Sequence, residues 1–247
     1  MKTLWTLTKI EIKLAVREFS GVLFGLMLPV GLMILLGVLN GNKPAFEGAN
    51  YTLTQQSFPA VITIGIIATG LMAIPITISS YREKKVLKRF KVTPTSPLAI
   101  LIAQVVNSFI FSTVSSLLVW VAAKIFFDYK MIGKVWVFLG FYLLVLFSIY
   151  SLGLMIASVS KNTKTSNLLT SLVYFPMFFL SGATVPFEIM PKGMQMVSNI
   201  MPLTHGIKLL KTASLAIPVD NVLISIIYLS VLAIACTIVS VATFKWD

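Results

Sequence analysis

Long apolar runs separated by short polar segments limit the folds open to this chain. About twenty apolar residues are needed to cross the hydrocarbon core of a bilayer. Because a backbone in lipid must satisfy its own polar groups, such runs predict helices. The runs predict six spans, the fifth of them short, at 20–39, 58–79, 98–127, 135–159, 168–182 and 222–244. The predicted fold is an all-α polytopic membrane protein, with a single transmembrane domain over 1–247.

The charged residues are few and unevenly placed. Only 11% of the chain is charged, against about 25% in soluble domains, which excludes an ordinary soluble protein. The net charge of +12 does not indicate nucleic acid, because most basic residues cluster between apolar runs. Four segments predicted inside hold four, six, two and one of the 20 Lys and Arg residues. Since Lys and Arg resist translocation, this asymmetry predicts that both termini are cytoplasmic.

The most basic segment, 81–97, reads YREKKVLKRFKVTPTSP and separates the second and third predicted spans. Val86, Leu87 and Phe90 recur at three and four residues, so a helix over 81–93 would place them on one face. The restriction on a residue that precedes proline ends this helix. Two interpretations remain open: a topology signal alone, or a helix under the membrane that docks on a soluble partner.

The first segment, 1–19, predicts an amphipathic helix on the cytoplasmic surface. Its basic residues recur every four positions at Lys9, Lys13 and Arg17. Glu11 and Glu18 fall on the opposite side, where contact with protein rather than lipid would suit them.

Two further segments carry small residues or helix breakers. In the second span a stripe spaced by four predicts close helix contact, and Pro75 predicts a kink. The stripe consists of Gly65, Thr69, Ala73 and Thr77.

The segment 181–217 mixes apolar residues with prolines and glycines. It predicts one or two short helices that enter the outer leaflet, where protein must shield irregular backbone.

Several kinds of chemistry are absent from the sequence. There is no G-x-x-x-x-G-K-(S/T) phosphate loop, no H-E-x-x-H and no Cys/His cluster, so no cofactor or metal site is predicted in this chain. The lone His205 therefore predicts a structural role, and the lone Cys236 excludes an intrachain disulfide. The spans carry no acidic residue in their middles, which disfavours an ion-coupled carrier. They also lack a nucleophile with a base, so the chain is not predicted to be an enzyme.

Two stretches resemble the membrane subunit of ATP-binding-cassette exporters of the type-2 permease family. The first, YREKKVLKRFKVTPTSPLAILIAQVV at 81–106, is similar to that family's E-(K/R)-x-x-x-(L/T)-(K/E)-x-(L/F)-x-x-(S/T)-P-like segment. The second, LSGATVPFEIMPKGMQMVSNIMPLTHGIKLLK at 180–211, is similar to its "SG-x-x-x-P…MP…PL-T/S" stretch before the last span. The departure is the basic richness of 84–91, where relatives often keep acidic or neutral residues.

This resemblance implies a half-transporter similar to the type V exporters, with an N-terminal interfacial helix and outer re-entrant helices before the last span. Such a subunit dimerises, most simply as a homodimer, and binds two copies of a separate ATPase subunit that holds the ATP and magnesium. The interfacial helix would be 1–19, the coupling helix against the ATPase 81–93, and the re-entrant segment 181–217.

The resemblance also implies that the second and fifth spans line a central pathway. The candidate lining residues are Thr69, Thr77, Asn167, Thr170, Tyr174 and Phe178. Helix packing alone remains the alternative for each of them. An apolar constriction near the outer end would be formed by Phe178, Phe179 and Leu180. We further predict that ATPase movement reaches the spans through Glu83, Val86, Leu87 and Phe90.

The predicted function is that of an exporter permease, driven by ATP hydrolysis in the separate subunit. Because the pathway has little fixed charge, it favours an apolar or amphipathic substrate: a drug, an antibiotic, an antimicrobial peptide or a lipid-linked molecule. Efflux and antibiotic resistance are among the expected roles. The alternative is a non-transporting scaffold or sensor subunit that docks a cytoplasmic signalling protein. We expect a multi-pass protein of a bacterial plasma membrane that contacts the lipid bilayer and no nucleic acid.

Overall fold

The computed structural model of the chain describes residues 2–40, 43–46, 48–91, 97–185, 187, 190–217 and 221–244. The helices are α1 Lys2–Arg17, α2 Phe19–Val22, a first π-helical segment Leu23–Met27, α3 Leu28–Asn40, α4 Leu53–Ile67, a second π-helical segment Ala68–Ala73, α5 Ile74–Glu83, α6 Val86–Lys91, α7 Pro97–Phe127, α8 Val135–Val159, α9 Thr163–Leu180, α10 Lys192–Ser198, α11 Pro202–Leu215 and α12 Val222–Thr243. Over these residues the predicted all-α fold is confirmed.

Four helices within the described residues are long and apolar enough to cross a membrane. They cover Leu53–Glu83, Ala99–Phe127, Val135–Val159 and Val222–Thr243. These helices coincide with the second, third, fourth and last predicted spans, which confirms a polytopic membrane protein.

The first and fifth predicted spans correspond to shorter or more polar helices. The apolar part of the first is Leu23–Leu39. The fifth, α9, has 18 residues and begins with a polar turn, Thr163 to Asn167. Neither reaches the length and hydropathy of the other four helices. The arrangement with six spans is therefore part of the proposal made below.

Both π-helical segments end two residues before a proline. Met27 precedes Pro29, and Ala73 precedes Pro75. Proline lacks the N–H of the regular helical ladder, and its ring crowds the carbonyl of the preceding turn. A wider π-turn in front of the proline lets the helix continue, and Leu53–Glu83 runs through Pro75 as one 31-residue helix. At Pro75, where the sequence predicted a kink, the structure thus has a π-helical segment just before the proline.

The Leu53–Glu83 helix lies at the centre of the bundle, against α3, α7, α8 and α11. Its small residues permit close contacts: a Cβ on Gly65 would lie 2.6 Å from Ser115 Oγ. Farther along, a Cβ on Gly153 of α8 would lie 2.0 Å from the Gly70 carbonyl oxygen. Two helix backbones therefore touch at Gly70 and Gly153, where only glycine fits.

One end of the bundle gathers the segments that were predicted to be cytoplasmic, and we call it the basic end. There the Tyr81 hydroxyl donates to Glu11 Oε1 at 2.8 Å, which joins α1 to α5. Ser158 Oγ and Thr243 Oγ1 are 2.8 Å apart, which joins the ends of α8 and α12. The segments that the charges predict on the cytoplasmic side therefore lie close together at one end of the bundle.

The opposite end gathers segments that were predicted to be outside. Gln55 Nε2 donates to the Lys130 carbonyl at 2.8 Å. The backbone N–H groups of Ile132 and Gly133 both donate to the Ser214 carbonyl at 3.0 Å. The C-terminal end of α11 is thus fixed to the turn between α7 and α8.

The segment predicted to be re-entrant, 181–217, contains two helices, α10 and α11. The second is deeply buried against α4, α8 and α12. A Cβ on Gly206 would lie 2.9 Å from a Val145 methyl group, so α11 and α8 approach closely. Protein therefore surrounds this helix on several sides. Its entry into the outer leaflet stays a prediction.

Candidate functional site

The basic segment contains two helical pieces rather than one. The α5 helix continues through Tyr81 to Glu83, and a turn at Lys84 and Lys85 separates it from α6. Lys85 has a φ of 56°, a left-handed conformation that ends the first helix. The coupling helix predicted over 81–93 is therefore divided at this turn, and residues 92 and 93 lie outside the described part of the chain.

The apolar face of α6 turns toward the protein itself. Leu87 is 1% exposed and Val86 is half-buried, whereas Lys84, Lys85 and Lys88 are exposed. The contacts of α6 are with α5 and α7. Leu87 therefore anchors α6 to the bundle, and the basic face is the one available to a partner. The side chain of Phe90 lies outside the described residues.

Glu83 connects this segment to the start of α9. Its carboxylate accepts a hydrogen bond of 3.0 Å from the backbone N–H of Thr163, the first residue of α9. Asn162 caps the same helix by accepting from the Thr165 N–H at 2.8 Å. A carboxylate is favoured at a helix N-terminus, where free N–H groups carry partial positive charge. The end of α5 is thus joined to the beginning of α9.

Arg82 makes a second connection between helices. The sequence indicated only that this residue is charged, and not that it is buried in such a contact. The side chain is 7% exposed and donates from Nη1 to the Ala157 carbonyl at 3.0 Å and to the Ser160 carbonyl. The guanidinium also lies 5.2 Å from the centre of the Phe244 ring. Adjacent residues of α5 therefore hold the ends of α8 and α12 and the start of α9.

A cavity of about 410 Å3 lies among α1, α2, both π-helical segments, α5 and α7. The second predicted span contributes Thr69 and Thr77 to its wall. Their place along a central pathway stays a prediction. The other four predicted lining residues are on α9 and do not reach this cavity. Gln104 and Asn107 of α7 also line it, and their polar side chains within an apolar run were the available sequence signal.

A belt of hydroxyl groups crosses the bundle beside this cavity. Thr69 Oγ1 lies 3.1 Å from the Tyr150 hydroxyl, which in turn lies 2.7 Å from the Ser108 carbonyl and 3.0 Å from Ser112 Oγ. Tyr142 is also within 3.3 Å of Ser112 Oγ. These groups bind one another across three helices, which is how polar side chains are accommodated in a membrane interior. Thr69 consequently serves packing as well as lining.

The α9 candidates form a separate group. Thr170 and Tyr174 are buried, and Asn167 is exposed. The rings of Tyr174 and Phe178 stack with centres 5.8 Å apart, and Phe178 meets Phe179 edge-on at 5.1 Å. Two of the three predicted constriction residues, Phe178 and Phe179, thus belong to one aromatic cluster at the end of α9. Leu180, the third of them, is half-buried and ends the helix.

His205 has hydrogen-bond partners on both ring nitrogens. Nε2 lies 2.9 Å from the Asn199 carbonyl, so it must carry the proton, and Nδ1 then accepts from Ser225 Oγ at 3.0 Å. Its ring stacks on Tyr228 with centres 4.4 Å apart. Burial lowers the pKa of His205, which favours the neutral ring that these contacts require. The structural role predicted for this residue agrees with these contacts.

Comparison with known proteins gives one family match and several curated relatives. The sequence model described as ABC-2 type transporter matches residues 2–215. The inner membrane transport permease YhhJ of Escherichia coli strain K12 is 28% identical over 164 residues, which are 65% of this chain and 44% of that protein. Nodulation protein J of Rhizobium leguminosarum bv. viciae is 30% identical over 95 residues, which are 38% of this chain and 37% of that protein. The chain thus spans less than half the length of these relatives.

Proposed function

The chain belongs to the ABC-2 type transporter family, and we propose that it is the permease subunit of an ATP-binding-cassette exporter. The family match supports a transport permease, and the similarity to an inner membrane permease supports a multi-pass protein of the plasma membrane. ATP hydrolysis takes place in a separate ATPase subunit, with ATP and magnesium bound there rather than in this chain. Two such subunits serve a homodimer of the permease.

The observation that supports coupling is the pair of contacts made by Arg82 and Glu83. The ATPase docks at the basic end, on the exposed Lys84, Lys85 and Lys88. Because Leu87 is buried against the bundle, a displacement of α6 is passed to α5 and α7. The contacts with the Ala157 carbonyl and the Thr163 N–H then pass it to α8 and α9.

The transport cycle follows from the difference between two states of the permease dimer. ATP binding draws the two ATPase subunits together and favours an outward-facing arrangement, whereas hydrolysis returns the inward-facing one. A substrate affects this equilibrium only through its different affinity for the two states. The pathway runs between the two copies, lined by the second and fifth spans, and ends at the cluster of Phe178 and Phe179.

The membrane arrangement is part of the same proposal. The segments Leu23–Leu39 and α9 complete six spans, both termini are cytoplasmic, and α10 and α11 are the outer re-entrant helices. The substrate is apolar or amphipathic: a drug, an antibiotic, an antimicrobial peptide or a lipid-linked molecule. Such molecules suit a pathway whose spans carry no acidic residue in their middles.

The test is reconstitution with an ATP-binding subunit encoded next to the permease gene. The two proteins should co-purify, and proteoliposomes that contain both should export an amphipathic dye only when ATP and magnesium are supplied. The permease alone should hydrolyse no ATP. Association with a signalling kinase in place of an ATPase would favour the scaffold alternative and refute the exporter.

A further inference from the structure

The most buried of the described side chains of α1 are polar, whereas several apolar ones are exposed. Thr8 and Glu11 are 3% and 7% exposed and face the bundle, where α1 packs against α7. Trp5 and Val16 are 60% and 59% exposed. Because a helix that packs in water buries its apolar face, this arrangement indicates that a further apolar surface covers the outer face of α1.

A stripe of three basic residues runs along this outer face. Lys9, Lys13 and Arg17 are exposed and are spaced by four residues, which places them in line on a helix. Glu11 is buried against the bundle, and Glu18, although exposed, follows the last residue of α1. The described part of the outer face therefore presents three cations and no carboxylate, which favours an anionic partner.

Apolar residues lie along the outward side of this stripe. Lys9 Nζ is 5.2 Å from the centre of the Trp5 ring, and Val16 falls on the same side of the helix as Trp5. On the other side of the stripe, Leu14 lines the cavity between α1 and the bundle. The side that carries Trp5 is therefore the outward one. Tryptophan is typical of the membrane–water interface, since its ring is apolar and its N–H is polar.

The position of α1 in the fold suits the surface of a membrane. Its Glu11 accepts from Tyr81, which lies near the end of the membrane helix Leu53–Glu83. The chain continues from α1 through α2 into the apolar segment Leu23–Leu39. Because α1 lies where these helices end, its outer face is at the depth of the lipid head groups.

We propose that the outer face of α1 binds anionic phospholipid of the surrounding membrane. Lys9, Lys13 and Arg17 contact the phosphate groups, and Trp5 and Val16 enter the boundary between head groups and acyl chains. An acidic protein fits this face less well, because lipid already surrounds the bundle at the depth of Trp5. The sequence predicts a surface helix but no preference among lipids. The inference adds that preference, and it requires a membrane protein but no ATPase subunit.

The experiment measures which lipid contacts α1. The fluorophore NBD is attached at position 16 of the full chain, in a Val16→Cys variant that also carries Cys236→Ser. The purified protein is placed in phosphatidylcholine nanodiscs that contain a small fraction of a lipid with a nitroxide near its glycerol end. This lipid is either phosphatidylglycerol or phosphatidylcholine, and its nitroxide quenches NBD on contact.

The anionic lipid should be the stronger quencher. We expect a preference for phosphatidylglycerol of about fivefold or more, since fivefold is the effect of a single basic residue near an anionic surface. Added salt should lower the preference, because it screens exposed charges.

Two triple variants with the same loss of net charge test the role of the stripe. The first replaces the basic residues of α1: Lys9→Gln, Lys13→Gln and Arg17→Gln. The control replaces three exposed lysines at the opposite end of the bundle: Lys43→Gln, Lys130→Gln and Lys134→Gln. The α1 variant should bind the two lipids almost equally, and the control should keep the parental preference. Gel filtration shows whether each variant is folded, and the comparison of lipids on the NBD-labelled parent needs no triple variant.

Equal quenching by the two lipids in the parent would overturn the inference. A preference that survives in the α1 variant, or is lost equally in the control, would overturn it as well. If the α1 variant keeps the lipid preference but no longer captures the ATPase subunit, the face belongs to a protein partner instead. None of these lipid measurements includes the ATPase, so failure of the inference leaves the exporter untouched. A lipid preference in a chain with which no ATPase subunit associates would support the inference and refute the exporter.

Discussion

The carboxylate of Glu83 and the backbone N–H of Thr163 are joined by a hydrogen bond of 3.0 Å. These residues are 80 positions apart, at the end of α5 and the start of α9. Because a carboxylate at a helix N-terminus is stabilised by the partial charge there, α5 and α9 should move together at the basic end. This relationship gives the first prediction.

Glu83→Gln should weaken coupling and leave insertion unchanged. Glutamine keeps an acceptor oxygen but loses the charge that strengthens this bond. For an exposed pair we expect ATP-driven export to fall about two- to fivefold at matched membrane levels. The measurement is dye export in proteoliposomes that contain the ATPase subunit, with Asp128→Asn as the control. Export at the parental rate would show that this bond has no part in coupling.

Leu87→Ala should destabilise the protein. Leu87 is 1% exposed, and truncation of a buried leucine costs about 2–5 kcal/mol. The midpoint of thermal unfolding in detergent should fall, and α6 should become more open to proteolysis. Val86→Ala, at a half-buried neighbour, is the control and should cost less. An unchanged midpoint for Leu87→Ala would mean that α6 is not anchored through this side chain.

Phe90→Ala should weaken binding of the ATPase subunit, whereas Leu87→Ala should weaken the fold of the permease itself. The sequence predicts Phe90 as a contact with the ATPase, and truncation of an interface hot spot costs about 2 kcal/mol or more. Capture of the ATPase subunit should fall, with the unfolding midpoint of the isolated permease preserved. Loss of stability with undiminished capture would place Phe90, like Leu87, among the anchors of α6.

Gly153→Ala should disrupt the contact between α8 and the second π-helical segment. The new Cβ would lie 2.0 Å from the Gly70 carbonyl oxygen, a backbone atom that cannot simply rotate away. Overpacking of this kind costs about 1–3 kcal/mol, so the unfolding midpoint should drop. Gly140→Ala is the matched control, because nothing lies within 4 Å of its added Cβ. A similar midpoint for both variants would contradict the close approach.

The stability of the protein should depend on the ionisation of Glu11. Burial raises the pKa of Glu11 above its ordinary value of 4.5, and the hydrogen bond from Tyr81 opposes part of that rise. The folded protein therefore holds the Glu11 proton more tightly than the unfolded chain does. The stabilisation is complete below pH 4.5 and is lost as the pH rises through the raised pKa. The midpoint of thermal unfolding of the parent should therefore fall as the pH is raised across this window. Glu11→Gln should lack this fall, because it has no carboxyl group at position 11.

The orientation in the membrane can be measured with single cysteines in a Cys236→Ser background. Lys84→Cys and Lys161→Cys should be protected from an impermeant reagent in intact cells, whereas Asn50→Cys and Lys192→Cys should react. All four positions are exposed, so protection reports sidedness rather than burial. Labelling of position 84 from outside would refute the proposed topology.

The sequence predicted the long helices well because apolar length alone determines a membrane span. The span predicted at 135–159 has the bounds of α8. The second predicted span, 58–79, lies within a longer helix, Leu53–Glu83, because its polar flanks are also helical. Thr52 caps α4, and Gln55 completes the capping box, a pattern that the sequence contains.

The contacts at the basic end could not be predicted in the same way. The spacing of Val86 and Leu87 places them on one face but does not say whether that face meets a partner or the chain itself. Arg82 is buried because the carbonyls of Ala157 and Ser160 reach it from 75 and 78 residues away. Partners so distant in sequence leave no local pattern, and the same is true of the cavity around Gln104 and Asn107.

The two π-helical segments lie side by side, since a Cβ on Gly25 would be 3.8 Å from Thr69 Cγ2. In each segment the regular hydrogen bonding of the α-helix is interrupted just before a proline, so both interruptions lie at the same level of the bundle. On the basic-end side of this level, α2 and α5 therefore each adjoin one of the two neighbouring π-helical segments. A change in the direction of α5 at this level would allow α3 and α4, on the other side of it, to keep their packing against each other.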